Sequence, residues 1–195
     1  AVFFNLSGAH TNPEIQTIER EIAPKLSRHS SAIYLDPKLF SRIAAIYEAR
    51  ESAGLTPEQI RLVERYHVGF TRAGAHLDDA ARERLAAISQ RLAELGTSFS
   101  QNVLGDESGF TLVLAGEEDL AGLPDFLIKA AALAARDRDL PQGQFVITLA
   151  RSSIEPFLQF SSRRDLREKA WRGWVMRGDG TAHDNAAIIS ETLRL

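Results

Sequence analysis

Residues 56–107 read TPEQIRLVERYHVGFTRAGAHLDDAARERLAAISQRLAELGTSFSQNVLGDE, and this stretch decides the fold. It predicts two long helices joined at Gly74-Ala75-His76-Leu77. Thr56 stands at a capping position, Pro57 at the first helical position and Gln59 where a capping box needs a side chain that reaches back. Leu55 and Ile60 have the spacing of a hydrophobic staple across that cap. Ile60, Val63, Tyr66, His67 and Phe70 recur with helical periodicity. Asp78 or Asp79 caps the second helix, whose apolar positions are Leu85, Ile88, Leu92, Leu95 and Phe99. Their alternation of three and four is the stripe by which one helix packs on another.

Upstream, Asn12-Pro13 opens a helix with Ile15, Ile18, Ile22 and Leu26 on one face, and Pro24 inside that pattern predicts a kink or a break. Leu35-Asp36-Pro37 opens the next, with Leu39, Ile43, Ile46 and Tyr47 as its buried stripe and Gly54 as its end. Downstream the period changes. Phe110–Leu114 and Phe145–Leu149 are β-branched, aromatic-rich runs bounded by Gly109, Gly116 and Gly143, and they read as two short strands paired with each other. Between them Leu123-Pro124 starts a helix through Phe126, Leu127, Ala130 and Leu133. Ile154–Phe160 and Arg163–Arg177 follow as helices, the latter burying Leu166, Ala170, Trp171 and Trp174. Asp184 has the position to cap a last helix carrying Ile188, Ile189, Thr192 and Leu193. The fold expected is mainly α with a small antiparallel β hairpin. Its sections are 1–107 (long helices), 108–150 (hairpin with an intervening helix) and 151–195 (a second helical section).

The 195 residues carry a net charge of -3, and a dedicated nucleic-acid binder would be basic. There is no cysteine, which excludes disulfides and thiolate metal sites and fits a reducing compartment. No apolar stretch has the length of a membrane span, and no secretory signal opens the chain. Ala1-Val2-Phe3-Phe4 begins in apolar sequence without an initiator Met, and no Gly or Pro stop precedes Leu195. The sequence reads as part of a longer protein.

Several stretches together resemble the N-terminal helical region of the thimet-oligopeptidase family of zinc metallopeptidases: Arg61–His67, Phe70–Ala75 with Leu77, Arg91–Leu95 and Phe99–Leu104. Ala1–Leu6 and Ile22–Leu26 are most similar to its bacterial peptidyl-dipeptidase branch. Leu123-Pro124, Ser161–Glu168 and Asp184-Asn185 continue the resemblance, so that 1–195 is covered. The resemblance implies a mostly helical, two-lobed, cytoplasmic enzyme built around a deep channel. This chain would form one wall of it, admitting only short unfolded peptides. It also implies a zinc ion held by a His-Glu-x-x-His helix and a further Glu. None of His10, His29, His67, His76 and His183 lies in such a motif. The zinc is therefore expected beyond these 195 residues, in a catalytic domain of the same polypeptide. The chain alone is expected to bind no cofactor and to cleave nothing, and no catalytic, cofactor-binding or metal residue is assigned within it.

Other patterns have plainer readings. Glu64 and His67 form a single Glu-x-x-His pair, where di-iron bundles use two copies with two further Glu; an amphipathic helix position explains it. Gly178-Asp179-Gly180-Thr181 lacks the third glycine of a dinucleotide loop and follows a helix, so it reads as a connection. Gly105–Gly109 has its serine out of register for a nucleophile elbow. Glu117-Glu118-Asp119 reads as solvated acidic surface. Arg151, Arg163, Arg164, Arg167, Lys169, Arg172 and Arg177 interleave with Trp171 and Trp174. Core packing of the tryptophans is the reading there, with nucleic-acid stacking or guidance of a peptide's acidic end as alternatives. The alternative to a peptidase is a free-standing helical module whose Leu85–Phe99 stripe binds a partner helix.

Overall fold

A computed structural model describes residues 2–195; Ala1, the first residue of the opening apolar run, lies outside them. The chain is mainly α, about 70% helical, with one two-stranded antiparallel sheet among the described residues. It divides into two compact units, one up to Ser98 and one over Phe99–Arg194. The division falls inside a helix.

The first unit holds α1 (Val2–Ala9), α2 (Pro13–Tyr34), α3 (Pro37–Ala49), α4 (Pro57–Ala73) and the start of α5 (Asp79–Gly109). Local chemistry sets the helix starts. Asn12 Oδ1 accepts from the Ile15 amide at 2.8 Å, and Asp36 Oδ1 accepts from the amides of Lys38 and Leu39. At α4 the capping box is complete: Thr56 Oγ1 accepts from the Gln59 amide at 3.3 Å and Gln59 Oε1 from the Thr56 amide at 2.9 Å. Asp78, not Asp79, caps α5, accepting from the Ala81 amide at 2.8 Å. Gly74 ends α4 at φ 96°, and a Cβ there would lie 2.6 Å from Leu85 Cδ2. Glycine is thus required both by the left-handed turn and by the close approach.

Three expectations for this unit need correction. Helix α2 is unbroken across Pro24 and runs on to Tyr34. One proline removes one backbone bond, and the turns on either side keep the segment helical. Helix α3 ends at Ala49 rather than at Gly54, which sits at φ 67° in the turn beyond. The α3 stripe is also not buried throughout: Leu39 and Ile46 are exposed, as are Ile18 and Leu26 on α2. Helix α3 packs on α4 through the Tyr47 side of that stripe together with Phe40: Phe40 stacks on Phe70 and Tyr47 on His67.

The second unit carries the larger core. Beyond the end of α5 come β1 (Leu112–Leu114), a 3-10 turn (Glu117–Leu120), α6 (Asp125–Arg136), β2 (Phe145–Ile147), α7 (Arg151–Phe160), α8 (Arg164–Val175) and α9 (Ala186–Thr192). The strands pair antiparallel in the register Leu112 to Ile147 and Leu114 to Phe145, with α6 between them in sequence. The expected pairing is present, over three residues a strand, because α5 runs to Gly109 and takes up the approach to Phe110. Leu112 and Leu114 face inward and Val113 outward. Helix α6 buries Leu127, Ala131 and Ala135, four residues apart, and α7 buries Ile154 and Phe157. Fully burying each of Leu114, Leu127 and Phe157 contributes about 1.5–3 kcal/mol.

Helix α8 buries Leu166 and Ala170, and Trp174 packs against the core, but Trp171 is 50% exposed. Leu166, Ala170 and Trp174 are four apart, whereas Trp171 is rotated from Ala170 by about 100°. At α9 the cap position belongs to Asn185 rather than Asp184, which accepts from the Ala186 amide one residue outside.

Candidate functional site

Two places in the chain gather functional side chains, one in each unit. In the first unit the site is a face of α4. Val63, His67 and Phe70 point from one side of that helix into the unit, while Arg61, Arg65, Gly69 and Arg72 form a file along another. A cavity of about 440 Å³ lies along the file, between Tyr47 and Arg72. A second, of about 270 Å³, shares Arg65 and Gly69 with it and is walled by Tyr34, Leu62 and Tyr66. A third, of about 410 Å³, continues from Arg72 and Tyr34 to Ser27, Ser30 and Ser31. Together they make a trough crossing α4 at Gly69.

Its charges are unevenly committed. Glu64 is paired with Arg61 at 3.2 Å and lies 3.8 Å from Arg50. The Arg50 guanidinium sits 4.1 Å over the Tyr47 ring, which stacks on His67 at 4.0 Å. Arg65 and Arg72 are exposed, and among the described residues neither has a hydrogen-bond or ion-pair partner. The sequence carried this signal as cations at i, i+4 and i+11 with glycine at i+8. The apolar periodicity of the opposite face is the stronger pattern in the same residues and masks it.

In the second unit the hub is Asp106, near the end of α5. Its carboxylate accepts from the Gly178 amide at 2.7 Å and from Thr181 Oγ1 at 2.6 Å, and it pairs with His183 Nδ1 at 2.9 Å. Burial pushes this carboxyl upward, but the hydrogen bonds from Thr181, Gly178 and His183 outweigh it and hold the group below its ordinary value of 3.8. Asn185 is 1% exposed, accepts from Asn102 Nδ2 at 2.9 Å and donates to the Phe99 carbonyl at 3.3 Å. Gly178 at φ 71° has no room for a side chain beside Asn185. The Gly178–Thr181 stretch is thus a loop sewn to α5. A carboxylate already holds the amide a phosphate would use. This hub was not legible beforehand, since its partners are more than seventy residues apart in sequence.

The remaining candidates are dispersed. His10, His29 and His76 are exposed and lie on or beside different helices. Ser108 lies in the last turn of α5. Asp119 is not free surface: it accepts from the Ala115 amide and pairs with Arg163. Arg163 also pairs with Asp165, and this hydrogen bond holds the Asp165 carboxyl at about 2. Much of the basic segment is spoken for: Arg151 pairs with Glu155, Arg172 with Glu168 and Arg177 with Glu107, and Arg167 bonds the Ser161 carbonyl. Trp174 lies under the Arg177 guanidinium at 3.7 Å. Trp171 borders an open concavity with Arg164, Arg167 and Glu168.

The donors of this chain do not fit a zinc ion. His67 is flanked by the Tyr47 and Phe40 rings, and Glu64 is committed to arginines. His183 and Asp106 make only a pair, and among the described residues no three His, Asp or Glu side chains gather as metal ligands. Among them, too, no helix is long and apolar enough to cross a membrane.

No family model matches the chain. Single relatives do. The dipeptidyl carboxypeptidase of Escherichia coli (strain K12) is 35% identical over all of this chain, and that of Salmonella typhimurium 33%. Oligopeptidase A of Escherichia coli is 26% identical over 98% of the chain. The chain belongs to the thimet-oligopeptidase family. It spans 29% of the length of either dipeptidyl carboxypeptidase and corresponds to the N-terminal part of the family. These relatives are peptidases by name, and each is similar to this chain over 98% or more of this chain's length.

Proposed function

We propose that this chain is the N-terminal portion of a zinc-dependent peptidase that hydrolyses short, unfolded peptides, and that it forms a wall of the substrate channel. The observation that carries the reading is the match to dipeptidyl carboxypeptidase over the whole of this chain but only 29% of that enzyme. The zinc ligands would lie in the sequence that follows, in a catalytic domain of the same polypeptide. The 195 residues contain no His-Glu-x-x-His, and their donor pairs are committed to other partners. The role of this portion is shape: it narrows access, so that an unfolded chain enters and a folded one does not. A cytoplasmic location belongs to the same proposal, supported by the absence of cysteine from the 195 residues, which fits a reducing compartment.

The test compares the 195-residue chain with a protein extended to the relatives' length, using a short peptide with a free C-terminus. The longer protein is expected to cleave it, to lose activity to a chelator and regain it with zinc, and to spare the same peptide held within a folded domain. The short chain is expected to cleave nothing. Cleavage by the short chain, or an inert long protein loaded with zinc, sinks the proposal. In the Leu85–Phe99 stripe that a free-standing module would use, Leu92 and Phe99 are exposed while Leu95 is buried and Leu85 and Ile88 are half-buried, so the match to dipeptidyl carboxypeptidase over the whole chain is what favours the peptidase reading.

A further inference from the structure

Glycine inside a helix is less stable than alanine because its backbone loses more freedom on folding. At Gly105 the chain supplies a reason for that cost, since a Cβ would lie 2.8 Å from the His183 ring. At Gly69, inside α4, it supplies none: a Cβ would meet nothing within 4 Å, and φ is not left-handed. The missing side chain instead opens the file of arginines. Gly69 lies between Arg65 and Arg72 and lines both of the first two cavities of the trough.

The cations beside this opening are not neutralised from within. Arg61 is paired with Glu64, whereas Arg65 and Arg72 have no partner among the described residues. Seven residues of helix set them about 10 Å apart along the axis. Three residues of peptide in the polyproline II conformation make one turn and cover about 9 Å, so side chains three apart share one face at nearly that distance. Tyr66, Leu62 and Val68 expose apolar surface alongside. A polyphosphate backbone suits the place poorly, because it carries a charge on every unit and the file offers only two unpaired cations, Arg65 and Arg72, among the described residues.

We propose that this trough binds an acidic peptide in the polyproline II conformation, with two side-chain carboxylates three residues apart on Arg65 and Arg72 and the backbone passing over Gly69. The binding does not rest on the peptidase reading, because it asks only for affinity in the 195-residue chain. The probe is a fluorescein-labelled pentapeptide, Glu-Leu-Val-Glu-Leu with its C-terminus amidated, followed by fluorescence anisotropy. Replacing both glutamates by glutamine is expected to weaken binding about tenfold, as is the double variant Arg65→Gln with Arg72→Gln. Raising salt from about 50 to about 300 mM is expected to weaken it further. Gly69→Leu, which fills the opening, is expected to remove binding while the helical circular dichroism is kept; if that variant misfolds, the double arginine variant decides. Equal binding of the glutamine peptide, or no effect of the arginine changes, overturns the proposal. So does absence of any peptide binding. Tighter binding of a single-stranded oligonucleotide would hand the trough to nucleic acid, and a dimer dissolved by Gly69→Leu would hand it to a second copy; either result also overturns it.

Discussion

The two units solve the same problem with different materials. The second packs a sheet and helices around Leu114, Leu127, Ile147, Ile154 and Phe157, all at or near zero exposure. The first has few buried apolar residues, Phe70, Ala75 and Leu95 among them, and relies on ring contacts. Tyr34 meets Phe70 at 5.0 Å, Phe40 meets His67 at 5.7 Å, and Tyr47 stacks on His67. Such pairs add about 0.5–1.5 kcal/mol beyond area. The lesson is that helix propensity and capping can define a layer of helices well while leaving little apolar area to hold it. Hydrogen exchange should show this directly: amides of β2 and α7 are expected to be better protected than those of α2 and α3. Equal protection would erase the distinction.

The largest effect is expected at the centre of the stronger unit. Phe157→Ala removes a fully buried ring and should cost about 3–5 kcal/mol, read by urea unfolding. Both tryptophans, Trp171 and Trp174, lie in that unit, so their fluorescence reports on it alone. A loss under about 1 kcal/mol would mean the core is less tightly packed than its burial indicates.

Next comes Gly74→Ala, which places a side chain at φ 96° and against Leu85. A cost of about 2 kcal/mol is expected in the first unit, followed by circular dichroism. A neutral result would show that the α4–α5 turn can rearrange.

Asp106→Ala should cost about 1–2 kcal/mol and free the 178–185 loop to proteases. The same carboxylate sets a pH dependence. Its folded pKa lies below 3.8, so its contribution is complete above that value and is lost as pH falls through the lower folded value. The second unit should therefore weaken in acid beginning below pH 3.8, and Asp106→Ala should flatten that part of the profile. An unchanged profile would remove Asp106 from the account.

The smallest effect has the opposite sign. Gly69→Ala meets no neighbour and should stabilise the first unit by about 0.5–1 kcal/mol, visible as a raised melting temperature. Destabilisation instead would reveal a packing role for Gly69 that its surroundings do not show.

The sequence alone determined the features that depend on a few adjacent residues. Asn12, Asp36 and Thr56 with Gln59 start their helices as read, Gly74 ends α4, and the two β-branched runs form strands that pair. Caps and turns act within four residues, so their physics is written locally. Many weak matches in order also sufficed for the family. The tertiary structure decided which side of a helix is covered and what distant side chains meet. It left Ile46 and Trp171 in solvent although their periodicity allowed burial, because the neighbouring elements lie on other flanks. It brought Asp106 to Thr181 and His183, and it turned a file of arginines interrupted by glycine into a trough. Burial is a property of what packs opposite a residue, and no local pattern contains that.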